Sequence, residues 1–259
     1  MRFHLFEFED QSWFPNVIRV GGTDYLRYLL IATEVYKPCL EILNETLKQT
    51  GEAKIVDLCS GGGGYVEQVY NELKKITTRD VCITLTDKFP NIEAYKHLQT
   101  KTDGAINFDT RSIDATDVPA DLKGIRTMFS AIHHFQPEQV RSILQNAALN
   151  NAPIAIFDGG DKSIFAILGI LIVHPLAFLL FTPFFKPFRF SRLLFTYIIP
   201  LIPLYTMWDG CVSILRLYKP QELLKIANGV SAGTYKWMAG KTKSKFGLHA
   251  SYLIGTPVH

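Results

Sequence analysis

The residues best suited to chemistry are Asp57, the four consecutive glycines Gly61 to Gly64, the acids Asp87, Asp114 and Asp158, and the adjacent His133 and His134. Ile55-Val56-Asp57-Leu58 reads as a short apolar strand ending in an acid. The glycines behind it accept positive φ and let a ligand approach the backbone, directly in front of a helix expected from Tyr65. A nucleotide-type ligand suits that arrangement, and a plain strand-to-helix turn would look the same, so the downstream residues decide. A phosphate-binding loop requires Gly-Lys-Ser/Thr, whereas this chain continues Gly63-Gly64-Tyr65-Val66. A dinucleotide fingerprint needs a third glycine where Glu67 stands and an acid about twenty residues on, whereas Asp87 lies thirty after Asp57.

A second strand is expected over Val81 to Thr86, with Asp87 at its carboxyl end. Its two oxygens can accept from a ribose diol, or they can cap the helix after Pro90. Asp114 follows a short strand at Ile106 to Phe108. From the fourth strand, Ile125 to Phe129, the chain runs Ser130-Ala131-Ile132-His133-His134, at the sheet edge where open α/β proteins bind ligands. A histidine there can act as general base toward a hydroxyl- or carboxyl-bearing nucleophile, or simply shape a pocket.

Asp57-Leu58-Cys59-Ser60-Gly61-Gly62-Gly63 resembles the first motif of the class I S-adenosylmethionine-dependent methyltransferases, Asp/Glu-x-Gly-x-Gly-x-Gly, with Cys59 at the first glycine position. The resemblance covers the chain outside residues 161 to 208. It implies an α/β fold with a seven-stranded, mostly parallel Rossmann-like sheet, helices on both faces and strand seven antiparallel. S-adenosylmethionine is the implied cofactor, its methionine end admitted by Gly61 and Gly63, its ribose held by Asp87 and its adenine amino group read by Asp114. Asp57, Cys59, Ala115 and Ser130 complete the expected cofactor set. For Asp114 a solvated loop position is the alternative. Catalysis is expected from His133 or His134, and acceptor contacts from Trp13, Tyr25, Asp158 and Trp208.

These residues need elements to position them. At 259 residues and 47% hydrophobic content the chain can bury a large core. A net charge of +3, without a basic stripe interleaved with aromatics, argues against nucleic acid. The four cysteines show no metal-ligand or disulfide spacing, and the acidic start at Glu7, Glu9 and Asp10 is unlike a secretory signal. Residues 1–50 are expected as an aromatic, helical N-terminal cap, interrupted at Gly21-Gly22, or as simple core packing by a leading helix, with a helix from Asp24 to Thr50 kinked or broken at Pro38. Residues 51–160 then alternate strand and helix, and 209–259 return to complete the sheet.

Between them, residues 161–208 break the pattern. Ile164 to Phe185 is a run of 22 residues without formal charge, about 33 Å if helical. A second, proline-bearing run covers Leu193 to Met207. A single crossing would split the sheet across a membrane, and a double one would place Lys186, Arg189 and Arg192 outside. The expectation is a hairpin entering one leaflet or lying on the cytoplasmic surface, its three cations near anionic headgroups, serving a lipophilic small-molecule acceptor. A soluble lid or homodimer interface is the alternative for the hairpin. For the whole chain, the alternatives are a non-catalytic membrane-bound scaffold and a nicotinamide-dependent lipid reductase.

Overall fold

The computed structural model describes residues 2–186, 188–230 and 233–258. In chain order the elements are α1 (Asn16–Thr33), α2 (Lys37–Thr50), β1 (Lys54–Asp57), α3 (Gly64–Ile76), β2 (Cys82–Asp87), α4 (Ile92–Lys101), β3 (Ile106–Ser112), β4 (Ile125–Phe129), α5 (Pro137–Leu149), β5 (Ile154–Gly159), α6 (Ile164–Phe181), α7 (Phe190–Leu193), α8 (Leu201–Arg216), α9 (Pro220–Asn228), β6 (Tyr235–Lys243) and β7 (His249–Pro257). They form two compact units. The smaller comprises the chain up to Thr33 together with Gly160–Leu217, and the larger comprises Glu34–Gly159 and the chain from Tyr218.

The larger unit holds the sheet, in the order β3-β2-β1-β4-β5-β7-β6. Strands β1 to β5 run parallel, and β7 inserts antiparallel between β5 and β6. Central parallel strands are covered on both faces, which is why β4 and the start of β5 are buried almost residue by residue. On one side Val56, Met128, Ile156 and Leu253 meet Val140, Ile143 and Leu144 of α5 and Leu223 of α9. Each such side chain contributes about 1.5–3 kcal/mol by leaving water. Register continues past the expected end of strand three, because Ile113 N–H reaches Asp87 C=O and Ser112 Oγ reaches Lys88 C=O. The fold is thus the seven-stranded, mostly parallel α/β sheet expected from the sequence.

The smaller unit packs α1, α6, α7 and α8 around Phe14, Ile18, Tyr25, Phe178, Phe185, Ile202 and Tyr205. Gly21 and Gly22 do not interrupt the chain as expected. They lie inside α1, where a Cβ would fall 2.3 Å from Ile202 Cδ1 at Gly21 and 1.6 Å from the Tyr205 hydroxyl at Gly22. Their role is the close crossing of α8. The break comes instead at Glu34, with φ +48°, and Pro38 sits in the first turn of α2, where no N–H is needed.

Two partitions differ from the sequence expectation. Helix α2 belongs with the sheet rather than with an N-terminal cap of 50 residues, and the inserted segment continues through α8 to Leu217. The N-terminal segment is strapped to α8: Asp209 accepts the N–H groups of Phe8 and Glu9 at 2.8 and 3.0 Å, and Arg216 Nη1 pairs with Glu7 and Asp10 at 3.1 and 2.8 Å.

Within α6 only Phe178 is buried, while Phe165, Ile172, Leu176 and Leu180, which share the opposite face, are exposed. Ile164–Phe184 is long and apolar enough to cross a membrane, and Phe190–Ile198 with Leu201–Arg216 is so only as a pair bent by 80°. Of the three cations expected at headgroups, Lys186 and Arg189 are exposed, but Arg192 is buried against Asp24. The charge of Asp24 holds it inside, which corrects its assignment to the membrane.

Candidate functional site

Strands β1, β2, β4 and β5 each deliver an expected residue at the carboxyl edge of the sheet. Asp57 ends β1, fully buried. Its Oδ2 accepts from Ser60 Oγ at 2.6 Å and its Oδ1 from Thr127 Oγ1 at 2.7 Å. Burial, helped by the charge of Asp87, pushes its carboxyl up to about 7 against those hydroxyl donors.

The turn then passes through Cys59 at φ +57°, Gly61 at +54° and Gly63 at +67°. A Cβ at Gly61 or Gly62 would meet nothing within 4 Å, so the turn is open on that side, whereas at Gly63 it would lie 2.6 Å from Leu98 Cδ1. Cys59 occupies a left-handed position that glycine takes without strain. Burial and the nearby carboxylates push its thiol far up, so it is a neutral packing group here.

Asp87 ends β2. It accepts Gly61 N–H on Oδ2 and Phe89 N–H on Oδ1, both at 2.8 Å. Each oxygen keeps a lone pair, so the half-buried carboxylate braces the glycine turn and can still accept from a diol. Asp114 is more fully engaged. Lys88 Nζ lies 2.8 Å from Oδ2, and Thr116 N and Oγ1 reach Oδ1 at 2.9 and 2.7 Å. Lys88 chiefly holds this carboxyl down, at about 2. Ala115 beside it is buried in the core.

At the ends of β4 and β5, His133 Nδ1 lies 2.8 Å from Asp158 Oδ1, with both side chains buried. A carboxylate only accepts, so Nδ1 carries a proton toward Asp158. The His134 ring lies 4.3 Å from that of His133. Asp158 Oδ2 is buried without a hydrogen-bond partner among the described residues. Thus Asp158, expected among the acceptor contacts, also orients His133. Ser130, at φ +51°, bonds the hydroxyl of Tyr36, which accepts Gly159 N–H at 2.7 Å.

Sequence reasoning missed Tyr36, Ser60, Thr127 and Lys88. Ser60 stands inside the glycine motif, and Thr127 lies in an obvious strand, but Tyr36 falls in a connection without any motif. Three expected acceptor contacts lie in the smaller unit. Tyr25 is a core residue, its ring 4.0 Å from Phe178 and its hydroxyl pushed up by burial. Trp208 Nε1 donates to Phe6 C=O at 3.0 Å, and Trp13 is 66% exposed.

No family model matches the sequence, and no curated protein matches it. Among solved structures, the plantazolicin methyltransferase BpumL in complex with SAH is similar, with a TM-score of 0.55 at 14% identity over 96% of this chain and 92% of that one. The pyocyanin biosynthetic protein PhzM follows at 0.50 and 11%, covering 89% of this chain and 58% of that one. The S-adenosylmethionine-dependent methyltransferase SibL in its apo form matches at 0.50 and 9%, covering 86% and 56%. The chain therefore spans nearly all of the first protein and somewhat over half of the other two. At such identities the likeness is one of fold: this chain has the α/β fold of the class I S-adenosylmethionine-dependent methyltransferases.

Proposed function

We propose that the protein is an S-adenosylmethionine-dependent methyltransferase that modifies a hydroxyl on a lipophilic small molecule at a membrane surface. The observation that carries this reading is the open glycine turn bound through Gly61 N–H to Asp87, within a sheet whose last strand is antiparallel. The residues fit the cofactor: Gly61 and Gly62 leave space for a ligand, and Asp87 keeps acceptor capacity for a ribose diol. When bound, the cofactor supplies an activated methyl group on a sulfonium.

The chain's own residues orient the partners and move a proton. Asp158 orients His133 through Nδ1, as general-base work at Nε2 would require. The orphaned Asp158 Oδ2 favours an acceptor that donates a hydrogen bond and disfavours a carboxylate. Most of the rate gain would come from orientation.

The lipophilic acceptor and the membrane are supported by α6, apolar on all sides and exposed along one broad face. Exposed Phe184, Phe188 and Phe190 accompany Lys186 and Arg189 at its far end, a composition suited to an interface with anionic headgroups. We place the protein on the cytoplasmic side, lying on the membrane or in one leaflet. The same exposed face favours a second reading, a homodimer interface.

Thermal-shift measurements with S-adenosylmethionine, S-adenosylhomocysteine and NADPH test the cofactor, since a ligand at 100 times its Kd adds about 2.7 kcal/mol. Stabilisation by NADPH alone would overturn the reading. Flotation with anionic vesicles, set beside light scattering in their absence, separates the membrane from the dimer.

A further inference from the structure

We propose that Tyr36 is a positioning residue for the His133–Asp158 couple, pinning together the two turns that carry it; the inference rests on the methyl-transfer reading only for its kinetic consequence. Tyr36 is 0% exposed and stands in the short connection before α2. Its hydroxyl accepts Gly159 N–H at 2.7 Å and shares a hydrogen bond with Ser130 Oγ, in which either oxygen can donate. Ser130 is the first residue after β4, three before His133, and Gly159 directly follows Asp158 at the end of β5. One phenol oxygen therefore ties the turn bearing the imidazole to the turn bearing its carboxylate.

Two features say that these turns need the tie. Ser130 holds a left-handed φ of +51°, which a serine keeps only when its surroundings impose it. A Cβ at Gly159 would lie 2.9 Å from the Tyr36 hydroxyl, so the backbone of β5 comes close to the phenol. The ring itself is fixed by Tyr65 at 5.1 Å and Phe129 at 5.5 Å. Packing thus aims the oxygen, and the oxygen sets the separation of the two turns. Burial first, and then the charge of nearby Asp158, raise the Tyr36 hydroxyl, so the pin stays protonated.

The test is Tyr36→Phe in the full-length protein, which keeps the ring and removes the oxygen. The first readout needs neither cofactor nor acceptor: the His133 Nδ1–H resonance in protein labelled at histidine, assigned by its loss in Asp158→Asn. In Tyr36→Phe this resonance should broaden or vanish while circular dichroism stays native. The second readout is turnover. We expect kcat to fall about tenfold or more, with the KM for S-adenosylmethionine within twofold, and Tyr36→Phe with Asp158→Asn to be no slower than Asp158→Asn alone. An unchanged Nδ1–H resonance in folded Tyr36→Phe, or fully additive rate losses, would overturn the positioning role. A protein that binds no S-adenosylmethionine would sink the methyl-transfer reading and leave the resonance arm intact. Should Tyr36→Phe fail to fold, Ser130→Gly removes the other half of the tie while suiting the positive φ, and the same resonance decides.

Discussion

Arg192 donates Nη1 to Asp24 Oδ2 at 2.6 Å, joining side chains 168 positions apart within the smaller unit. Arg189 Nε lies 3.3 Å from the same oxygen, and Arg27 lies 3.4 Å from Oδ1. Asp24 is thus the centre of a cationic cluster, and Lys186, Arg189 and Arg192 have two different jobs.

Removing Arg192 should unfold the unit rather than detach it from lipid. Arg192→Met leaves Asp24 with only its more exposed partners, and breaking a buried pair typically costs about 3 kcal/mol or more. Lys186→Glu and Arg189→Gln should leave urea stability nearly unchanged. Each should weaken binding to anionic vesicles by about 1 kcal/mol, an effect that high salt removes. Co-sedimentation and urea titration of all three variants check this, and equal vesicle losses with no stability loss in Arg192→Met would refute it.

Asp57 makes stability depend on pH in a definite direction. Its carboxyl titrates near 3.8 in the unfolded chain and about 7 in the fold. Between those values the folded protein holds a proton that the unfolded chain has released. Stability therefore falls as pH rises through this window, with a slope of at most about 1.4 kcal/mol per unit. Asp57→Asn should flatten the slope between pH 6 and 7. Below that a part should remain from Asp209, which burial raises to about 6. Asp114 acts below this window and with the opposite sign, since its folded value lies under the unfolded one. Urea midpoints at half-unit pH steps measure the slope directly.

The glycine turn should respond by position. Gly63→Ala combines φ +67° with a Cβ 2.6 Å from Leu98, and should cost about 1–3 kcal/mol and weaken cofactor binding. Gly62→Ala has ordinary φ and open space, and should fold normally. If its methyl projects toward the ligand, calorimetry will show lower cofactor affinity at unchanged urea stability.

Asp87→Ala should weaken cofactor binding more than Asp114→Ala. Asp87 braces the turn through Gly61 and on the proposed reading would offer its remaining lone pairs to the ribose, whereas Asp114 is already occupied by Lys88 and Thr116. Isothermal calorimetry with S-adenosylhomocysteine decides, and equal affinities in wild type and Asp87→Ala would remove the ribose assignment.

Much of this was legible in the sequence, and the exceptions have a common cause. Ile55-Val56 and Ile154 to Phe157 announce buried parallel strands because both faces are covered, and Gln136-Pro137-Glu138 announces the start of α5. Residues placed at strand ends, such as Asp87 and His133, follow from knowing the strands. What failed was long-range pairing. Nothing near Arg192 points to Asp24, nothing near Gly21-Gly22 points to Ile202 and Tyr205, and Tyr36 acquires meaning only when β4 and β5 lie side by side. His133 and Asp158 were each legible as individuals, but their bond spans 25 positions and required the sheet.

The last prediction concerns the insertion. Replacing residues 164–207 alone should fail, because it would strip α1 of Phe178, Phe185, Ile202 and Tyr205, leaving Ile18 and Tyr25 open to water and α8 cut in the middle. Burial of such side chains is worth about 1.5–3 kcal/mol each, so the remnant should aggregate. Removing residues 1–33 as well, and joining Gly159 to Tyr218 through a Gly-Ser linker, takes away the smaller unit whole. The larger unit keeps all seven strands described here and its own core around Met128, Leu144 and Leu253. Closing the gap with a flexible linker costs little, since the entropy of closure grows only with the logarithm of length. This shortened protein should show cooperative unfolding, bind S-adenosylhomocysteine and ignore anionic vesicles, while the single deletion pellets. If the shortened protein still floats with vesicles, the membrane contact lies on the sheet unit, and if it is molten by near-ultraviolet circular dichroism, the two units do not fold independently.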